Sequence, residues 1–208
     1  MKTRDRILFT SLLLFNQEGE QNITTVDIAN EMDISPGNLY YHFKGKESII
    51  ETLYTDYDKQ LTLLLNQSME NTLSVEDHWL FIYVLFEEIY KFRFFYLNVA
   101  DIMFKYPDVE RRFRRLLLLK IKTIDALCKS LLERLDVDAD EVDIRSLAEN
   151  IVQSMMYWFA YQQLVRPEAK GDELVHLGVY HILSLAAPYV GINQAQYLAI
   201  IKSLYKKA

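Results

Sequence analysis

The sequence contains few of the residues that cross-link or interrupt a chain. Its 208 residues include one cysteine, four prolines and six glycines. A single cysteine cannot form an intramolecular disulfide, so a disulfide-stapled secreted scaffold is excluded and a reducing cytoplasm is expected. Proline and glycine are too scarce for a turn-rich β protein. No apolar run approaches the roughly 18 residues of a membrane span, so no membrane partner is expected.

Apolar and acidic side chains are abundant. Half of the residues are hydrophobic and 13% are aromatic, which is too apolar for a disordered chain. The 29 acidic residues outnumber the 23 lysines and arginines, giving a net charge of −6. An acidic chain argues mildly against nucleic-acid binding. That inference depends on where the charges lie.

Hydrophobic residues recur every three to four positions along almost the whole chain, which predicts an all-α fold. Short capped helices come before residue 50, and long aromatic-rich helices come after it. We therefore predict two domains, an N-terminal one over 1–50 and a larger helical one over 51–208. The predicted helices cover 4–16, 26–32, 36–43, 46–67, 74–92, 94–105, 107–135, 142–165, 172–187 and 193–206.

Residues 24–43 have the spacing of a helix-turn-helix. Thr24 and Thr25 can cap a short helix, and Ser35 followed by Pro36 can cap the next one. Ala29 is small enough to let the two helices cross, and Asp33 tolerates the left-handed conformation that the turn between them needs. Three short helices joined by tight turns predict a helix-turn-helix DNA-binding domain at the N-terminus.

The segment 35–47, SPGNLYYHFKGKE, closely resembles the recognition-helix signature of the tetracycline-repressor (TetR) family of bacterial transcriptional regulators. The strong resemblance covers about Thr3 to Tyr54. It implies a divergent helical domain for ligand binding and dimerisation in the rest of the chain. Val26 departs from the pattern, because many relatives carry a basic residue there, and this leaves a base contact from the second helix open. The resemblance implies DNA contacts for Thr25, Gly37, Asn38, Tyr40, Tyr41, His42 and Lys46.

The chemistry of this segment supports DNA recognition on its own. Residues 36–38 are small and lie at the start of the helix that would enter the major groove, so backbone can approach the base edges. Tyr40 offers a flat face to thymine methyls and a hydroxyl to phosphate. Lys46 begins the next helix, where a cation and free backbone N–H groups can hold a phosphate. The predicted contacts with double-stranded operator DNA are Thr24, Thr25, Ser35, Pro36, Gly37, Asn38, Tyr40, Tyr41, His42 and Lys46.

Charge placement moderates the strength of this binding. Residues 1–50 hold five basic and seven acidic side chains, and the basic ones are expected on the DNA-facing side. We predict weak non-specific binding with a modest salt dependence. The basic residues are Lys2, Arg4, Arg6, Lys44 and Lys46.

Aromatic and methionine side chains with interspersed polar groups predict a pocket for a small hydrophobic or aromatic effector. An ordinary packed core is the alternative interpretation for each of these residues taken singly. The predicted lining residues are Trp79, Tyr83, Phe86, Tyr90, Phe95, Asn98, Met103, Met155, Trp158 and Phe159.

Helices 142–165 and 172–187 are apolar nearly all round, which predicts a homodimer through a four-helix interface, with Gly178 and Ala186 allowing close helix crossing. We predict a repressor whose recognition helices fit two half-sites of a palindromic operator in one state only. The effector favours the other state, in which helix 46–67 tilts. The alternative is a helical dimer controlled by a protein partner, without a small-molecule pocket.

The sequence contains no complete motif for catalysis or metal binding. The acidic run that begins at Asp136 has Glu141 where a calcium loop needs glycine. No nucleophile elbow is present, and His176 and His181 are badly spaced for one metal. We therefore expect no enzyme activity, no catalytic residue, no metal and no cofactor. A basic run over 111–122 and the last helix over 193–206 have no assigned role.

Overall fold

The structure is a computed structural model that describes residues 2–67, 74–169 and 171–207. Within those residues the chain is helical and contains no strand, so the all-α prediction is confirmed. Short 3₁₀ turns at Glu20–Asn22, Ala187–Tyr189 and Gly191–Asn193 join some of the helices. The α-helices are α1 Thr3–Glu18, α2 Thr25–Glu31, α3 Pro36–His42, α4 Lys46–Gln67, α5 Val75–Lys91, α6 Phe94–Leu97, α7 Val99–Lys105, α8 Pro107–Arg134, α9 Glu141–Val165, α10 Asp172–Ala186 and α11 Gln194–Lys207.

The helix ends agree with the predicted ones to within two residues, with one exception. The predicted helix over 94–105 is two helices, α6 and α7, separated at Asn98. The backbone of Asn98 has φ −141° and ψ 56°, which lies outside the helical region. Asparagine readily leaves a helix because its amide competes for neighbouring backbone groups.

The chain packs into two compact units. Unit 1 comprises Met1–Gln60 and Phe92–Phe113, and unit 2 comprises Leu61–Lys91 and Arg114–Ala208. Packing therefore places the segment from Phe92 to Phe113 with the N-terminal helices. The functional division at residue 50 stays a prediction, because these units are defined by packing and not by role.

The N-terminal three helices of unit 1 bury one small apolar core. Ile7 and Phe15 from α1 pack with Ile28 and Ala29 from α2, and all four side chains are fully buried. The turn after α2 places Asp33 at φ 53°, the left-handed conformation predicted for it. These contacts fix the angle at which α3 leaves α2.

Two contacts, one polar and one aromatic, attach the segment Phe92–Phe113 of unit 1 to α1. The backbone N–H of Phe94 donates to Oδ1 of buried Asn16 at 3.0 Å. The ring of Phe94 packs on Phe15 with centroids 5.4 Å apart. The start of α6 is thereby held against the end of α1.

Unit 2 is built around α10, which packs against α5, α9 and α11. Gly178 lies where α10 meets the rings of Phe86 and Trp158. Helix α11 packs against α10 and α5. Its buried Tyr197 donates its hydroxyl to the carbonyl of Leu183 in α10 at 2.9 Å. In the part of the chain that the structure describes, no helix combines the length and apolar character needed to cross a membrane.

Candidate nucleic-acid interface

The start of α3 is fixed by a side-chain cap. Ser35 is the N-cap residue, and its hydroxyl oxygen accepts the backbone N–H of Asn38 at 3.2 Å. Pro36 follows at the first helical position, where its missing N–H costs nothing. Residues 35–38 are all exposed. The first turn of α3 therefore presents short side chains and backbone to the surroundings, as predicted.

The remaining residues of α3 divide into a buried and an exposed face. Leu39 is buried, as is Phe43, which ends the helix. Tyr40 is 57% exposed and Tyr41 is 77% exposed, so neither ring belongs to the core. His42 is half-buried, with its ring at the edge of Tyr41.

Cations lie next to this face. The ammonium of Lys44 sits 4.5 Å from the centroid of the Tyr40 ring. The guanidinium of Arg4 lies 4.8 Å from the centroid of the Phe43 ring. Both are cation–π distances, so aromatic rings hold these charges beside α3. The four-residue spacing of Tyr40 and Lys44 was a signal for this pair that our sequence interpretation did not use.

Thr24 caps α2 in a reciprocal arrangement. Its hydroxyl oxygen accepts the backbone N–H of Asp27 at 3.2 Å, and the Asp27 carboxylate accepts the Thr24 backbone N–H at 2.8 Å. The same carboxylate accepts the Thr24 hydroxyl at 2.6 Å. These bonds hold the pKa of Asp27 below its ordinary value. The Thr24 side chain is thus already engaged in a capping box, and the half-buried Thr25 begins the helix.

Lys46 has intramolecular partners at the start of α4, and its side chain is partly exposed. Its ammonium donates to the carbonyls of Glu20 and Ile23 at 2.8 Å each and lies 2.7 Å from the Glu20 carboxylate. An ammonium has three N–H donors, and these three acceptors match them. The phosphate contact that we predicted for this side chain stays a prediction. The sequence carries no local signal for the internal contacts, because the partners are 23 and 26 residues away.

The Glu20 carboxylate also has two partners in the segment Phe92–Phe113 of unit 1. Its carboxylate lies 3.0 Å from the ammonium of Lys105 and accepts the hydroxyl of Tyr106 at 2.5 Å. Burial acts to raise the pKa of this carboxyl, but the hydrogen bonds from Lys46, Tyr106 and Lys105 outweigh burial and hold the pKa below its ordinary value. Glu20 is therefore an ionised carboxylate with a fully buried side chain.

The residues predicted to line an effector pocket fall in both units. Phe95, Asn98 and Met103 belong to unit 1. Phe95 is buried against Tyr54 and Tyr57, Asn98 is exposed at the break between α6 and α7, and Met103 is half-buried. The exposed position of Asn98 follows from the helix break.

The other seven predicted pocket residues belong to unit 2. Phe86 packs edge-on against Trp158 and Phe159, and Tyr90 packs on Phe159. Met155 and Trp79 are buried, while Tyr83 is half-buried and donates its hydroxyl to Glu87. Phe86, Tyr90, Trp158 and Phe159 therefore form an aromatic cluster, which we call the Phe86 cluster.

A cleft of about 660 Å³ opens between α9 and α10 in unit 2. Trp158 alone among the predicted pocket residues lines it. Tyr157 and Tyr161, which are 55% and 57% exposed, were missed as lining residues although their four-residue spacing puts them on one face of α9. Among the residues that the structure describes, the lining is Ser154, Tyr157, Trp158, Tyr161, Gln162, Arg166, Leu177, Tyr180, His181 and Ser184.

Comparison with known proteins agrees with this geometry. Residues 7–53 match the family model described as bacterial regulatory proteins, tetR family, and residues 56–198 match the one described as bacterial transcriptional repressor. A TetR-family transcriptional regulator from Marinobacter aquaeolei VT8 is similar in structure, with a TM-score of 0.86 and 29% identity over 100% of this chain and 98% of the other.

Other relatives are more distant or cover less. The fatty acid degradation regulator FadR from Bacillus halodurans has a TM-score of 0.62 at 15% identity, covering 89% of this chain and 95% of its own, and shows the shared fold. The biofilm operon icaADBC HTH-type negative transcriptional regulator IcaR from Staphylococcus aureus (strain Newman) is 34% identical over 71 residues, which is 33% of this chain. The matches span 37–38% of the length of such curated relatives.

Proposed function

The chain belongs to the tetR family of bacterial transcriptional regulators, and on that premise we propose that it is a repressor that binds a palindromic operator as a homodimer. As a member of this family it is a regulator and not an enzyme. The exposed face of α3 is the observation that carries the proposal, because its short first turn and two exposed tyrosines suit entry into a major groove. Bacterial DNA as the target implies action in the cytoplasm.

Repression is the proposed sign of regulation. The family model matched by residues 56–198 is described as a transcriptional repressor, and the matched relative IcaR is a negative regulator. Two copies of α3, held one helical turn of DNA apart by the dimer, would read two half-sites.

Operator binding can be tested by fluorescence anisotropy with a duplex selected from a randomised library. Tyr40→Ala removes an exposed ring that the fold does not need, so we expect binding to weaken about tenfold while the melting temperature is unchanged. Phe9→Ala is the matched control, because Phe9 is an equally exposed aromatic residue of α1, outside the predicted contacts. Wild-type affinity in Tyr40→Ala would contradict the assignment of α3.

The dimer is proposed to form through α9 and α10. The exposed apolar residues of α9 include Tyr157, Tyr161 and Leu164, the last of which is 84% exposed. Apolar side chains that stand together on one face of a helix are typical of an interface. Gly178 and Ala186, which we predicted to allow close crossing, are buried within unit 2.

Release from the operator is proposed to follow binding of a small hydrophobic or aromatic effector at the Phe86 cluster. Small-molecule effectors are typical of the family. The ring packing within the cluster means that such an effector must displace side chains. The same packing supports the alternative, release by a protein partner.

The two modes of release can be separated with 1-anilinonaphthalene-8-sulfonate, a general probe of hydrophobic sites. Binding of the probe that releases labelled operator, and that weakens in Phe159→Ala, supports a small effector. Saturating probe that leaves the operator complex intact favours a protein partner.

A further inference from the structure

We propose that the effector is an anion with an apolar body, and that the ammonium of Lys120 in α8 binds its anionic group. A carboxylate is the simplest group of this kind. The proposal rests on the proposed effector site at the Phe86 cluster, and it adds the chemical class of the ligand and the residue that recognises it. Lys120 and the Phe86 cluster both belong to unit 2.

Lys120 lies in the interior of unit 2. It is 2% exposed, as are Leu116 and Ile124, which lie one turn before and one turn after it on the same face of α8. Lys122 of the same helix is exposed. The basic run over 111–122 therefore places one of its cations inside the unit.

Helices α5 and α8 run in opposite directions where they meet. Nε2 of His78 in α5 lies 3.2 Å from the carbonyl oxygen of Leu127 in α8. One turn later in α5, Ile82 lines the same small cavity as Ile124, which lies one turn earlier in α8. The contact between His78 and Leu127 therefore fixes the register of the two helices.

This register places Lys120 level with the Phe86 cluster. Phe86 follows His78 by eight residues, and Lys120 precedes Leu127 by seven. At about 1.5 Å per residue, Phe86 and Lys120 lie about 12 Å and about 10 Å from the shared contact, measured along the helices. An effector bound at the cluster therefore lies at the height of the buried ammonium.

A small cavity with a mostly apolar lining lies one turn along α8 from Lys120. Its volume is about 30 Å³, which is too small for an effector on its own. Two of its lining residues continue the helix faces of the cluster, since Ile82 lies one turn before Phe86 and Ile151 lies two turns before Phe159. The apolar body of an effector can therefore extend from the cluster toward this cavity while its anion stays beside the lysine.

An anion is the ligand group that a buried ammonium favours. Burial lowers the pKa of Lys120 to about 7, because the charged form loses hydration. An ion pair in a protein interior offsets that loss, whereas a neutral apolar ligand does not. Lys120 has contacts of its own within the fold, and an ammonium has three N–H donors, so an effector oxygen can join these contacts without replacing them.

Two fluorescent probes that differ by one charge test this role. 1-Anilinonaphthalene-8-sulfonate carries a sulfonate, and N-phenyl-1-naphthylamine has the same ring system without it. Lys120→Met replaces the cation with an apolar side chain of similar length. We expect it to weaken binding of the sulfonate probe about tenfold and to leave binding of the neutral probe within about twofold of wild type. Retained binding of the neutral probe also shows that the site is folded.

Lys122→Met is the matched control. It removes an exposed lysine from the same helix, so it should leave the affinities of both probes at wild-type values. An effect of net charge alone would weaken the sulfonate probe equally in both variants. Lys120→Gln is the second variant, because it keeps N–H donors and removes the charge, and it too should weaken the sulfonate probe alone.

Competition against the neutral probe tests a carboxylate directly. Decanoate and decanol share an apolar chain and differ in the anionic group. In Lys120→Met, the decanoate concentration that displaces half of the probe should rise about tenfold, while that of decanol should stay at its wild-type value.

The outcomes separate this proposal from the proposed effector site. Equal loss of both probes in Lys120→Met and Lys120→Gln, or wild-type affinity for the sulfonate probe in both, overturns the role of Lys120. An unchanged decanoate concentration in Lys120→Met overturns the carboxylate. A wild-type chain that binds neither probe overturns the effector site and the anion together. None of these measurements needs DNA, so they decide the matter whatever the operator experiment shows.

Discussion

Gly178 leaves no room for a larger side chain in unit 2. A Cβ atom built there would lie 2.6 Å from Cε1 of Phe86 and 2.9 Å from Nε1 of Trp158. Both neighbours are rings in a packed interior, so neither can yield without moving others. We expect Gly178→Ala to lower the free energy of unfolding by about 1–3 kcal/mol, measured by urea denaturation.

A second glycine of a helix provides the control for this prediction. A Cβ atom at Gly37 would meet only Oγ of Ser35, at 3.9 Å, which is ordinary contact. Gly37→Ala in α3 should therefore be neutral or stabilising by about 0.5–1 kcal/mol. Equal effects of the two substitutions would show that helix propensity, and not the space at Gly178, determines the result.

The sequence predicts single residues well where the cause is local. Asp33 is left-handed, as expected from the turn, and Ser35 caps α3, as expected from its place before Pro36. Gly178 was predicted to allow close helix crossing, and the ring that it approaches belongs to Phe86, 92 positions away. The partners of Lys46 are equally non-local. Such contacts depend on the fold and leave no periodic signal.

The capping box of α2 makes the stability of that helix dependent on pH. Hydrogen bonds from the Thr24 hydroxyl and from its backbone N–H lower the pKa of Asp27 below its ordinary value. A lowered carboxyl pKa stabilises the fold above the unfolded-state pKa, and this is lost as pH falls through the lowered value. We expect Thr24→Ala to lower the melting temperature by about 2–4 °C at pH 7 and by less below about pH 4.

Thr52→Ala is the matched variant for this experiment. The Thr52 hydroxyl donates to the carbonyl of Ser48 within α4 at 2.7 Å, so no carboxylate is involved. Its effect on the melting temperature should be independent of pH between about 3 and 7. A Thr24→Ala effect that is equally constant would contradict the role of Asp27.

Helix ends were predictable because caps are short-range. Ser35 and Thr24 bond to residues three positions on, and those bonds are visible in the sequence as spacing. The break at Asn98 was not predicted, since the hydrophobic pattern runs through it without interruption. The membership of Phe92–Phe113 in unit 1 was also missed, because it depends on long-range contacts such as that of Phe94 with Asn16.

At the scale of the whole molecule, dimerisation through α9 should be separable from folding. Tyr161→Glu places a charge on a face that we propose to be buried in the dimer, while Tyr161 is exposed in the single chain. We expect a folded monomer by light scattering and a loss of operator affinity of at least tenfold. Ile192→Glu, at an exposed apolar residue outside α9 and α10, should stay dimeric. If Tyr161→Glu is still a dimer with unchanged operator affinity, the dimer interface lies outside this face of α9.

The number of cations that contact phosphate governs how operator binding responds to salt. Residues 1–50 carry more acid than base, and their cations are Lys2, Arg4, Arg6, Lys44 and Lys46 in each protomer. If all ten in a dimer contacted phosphates, the slope of log K against log salt would be about −9, so we expect a shallower slope. Anisotropy titrations from about 50 to 300 mM KCl measure it, with a scrambled duplex as control. A slope of about −9 or steeper would contradict the modest salt dependence that we predict.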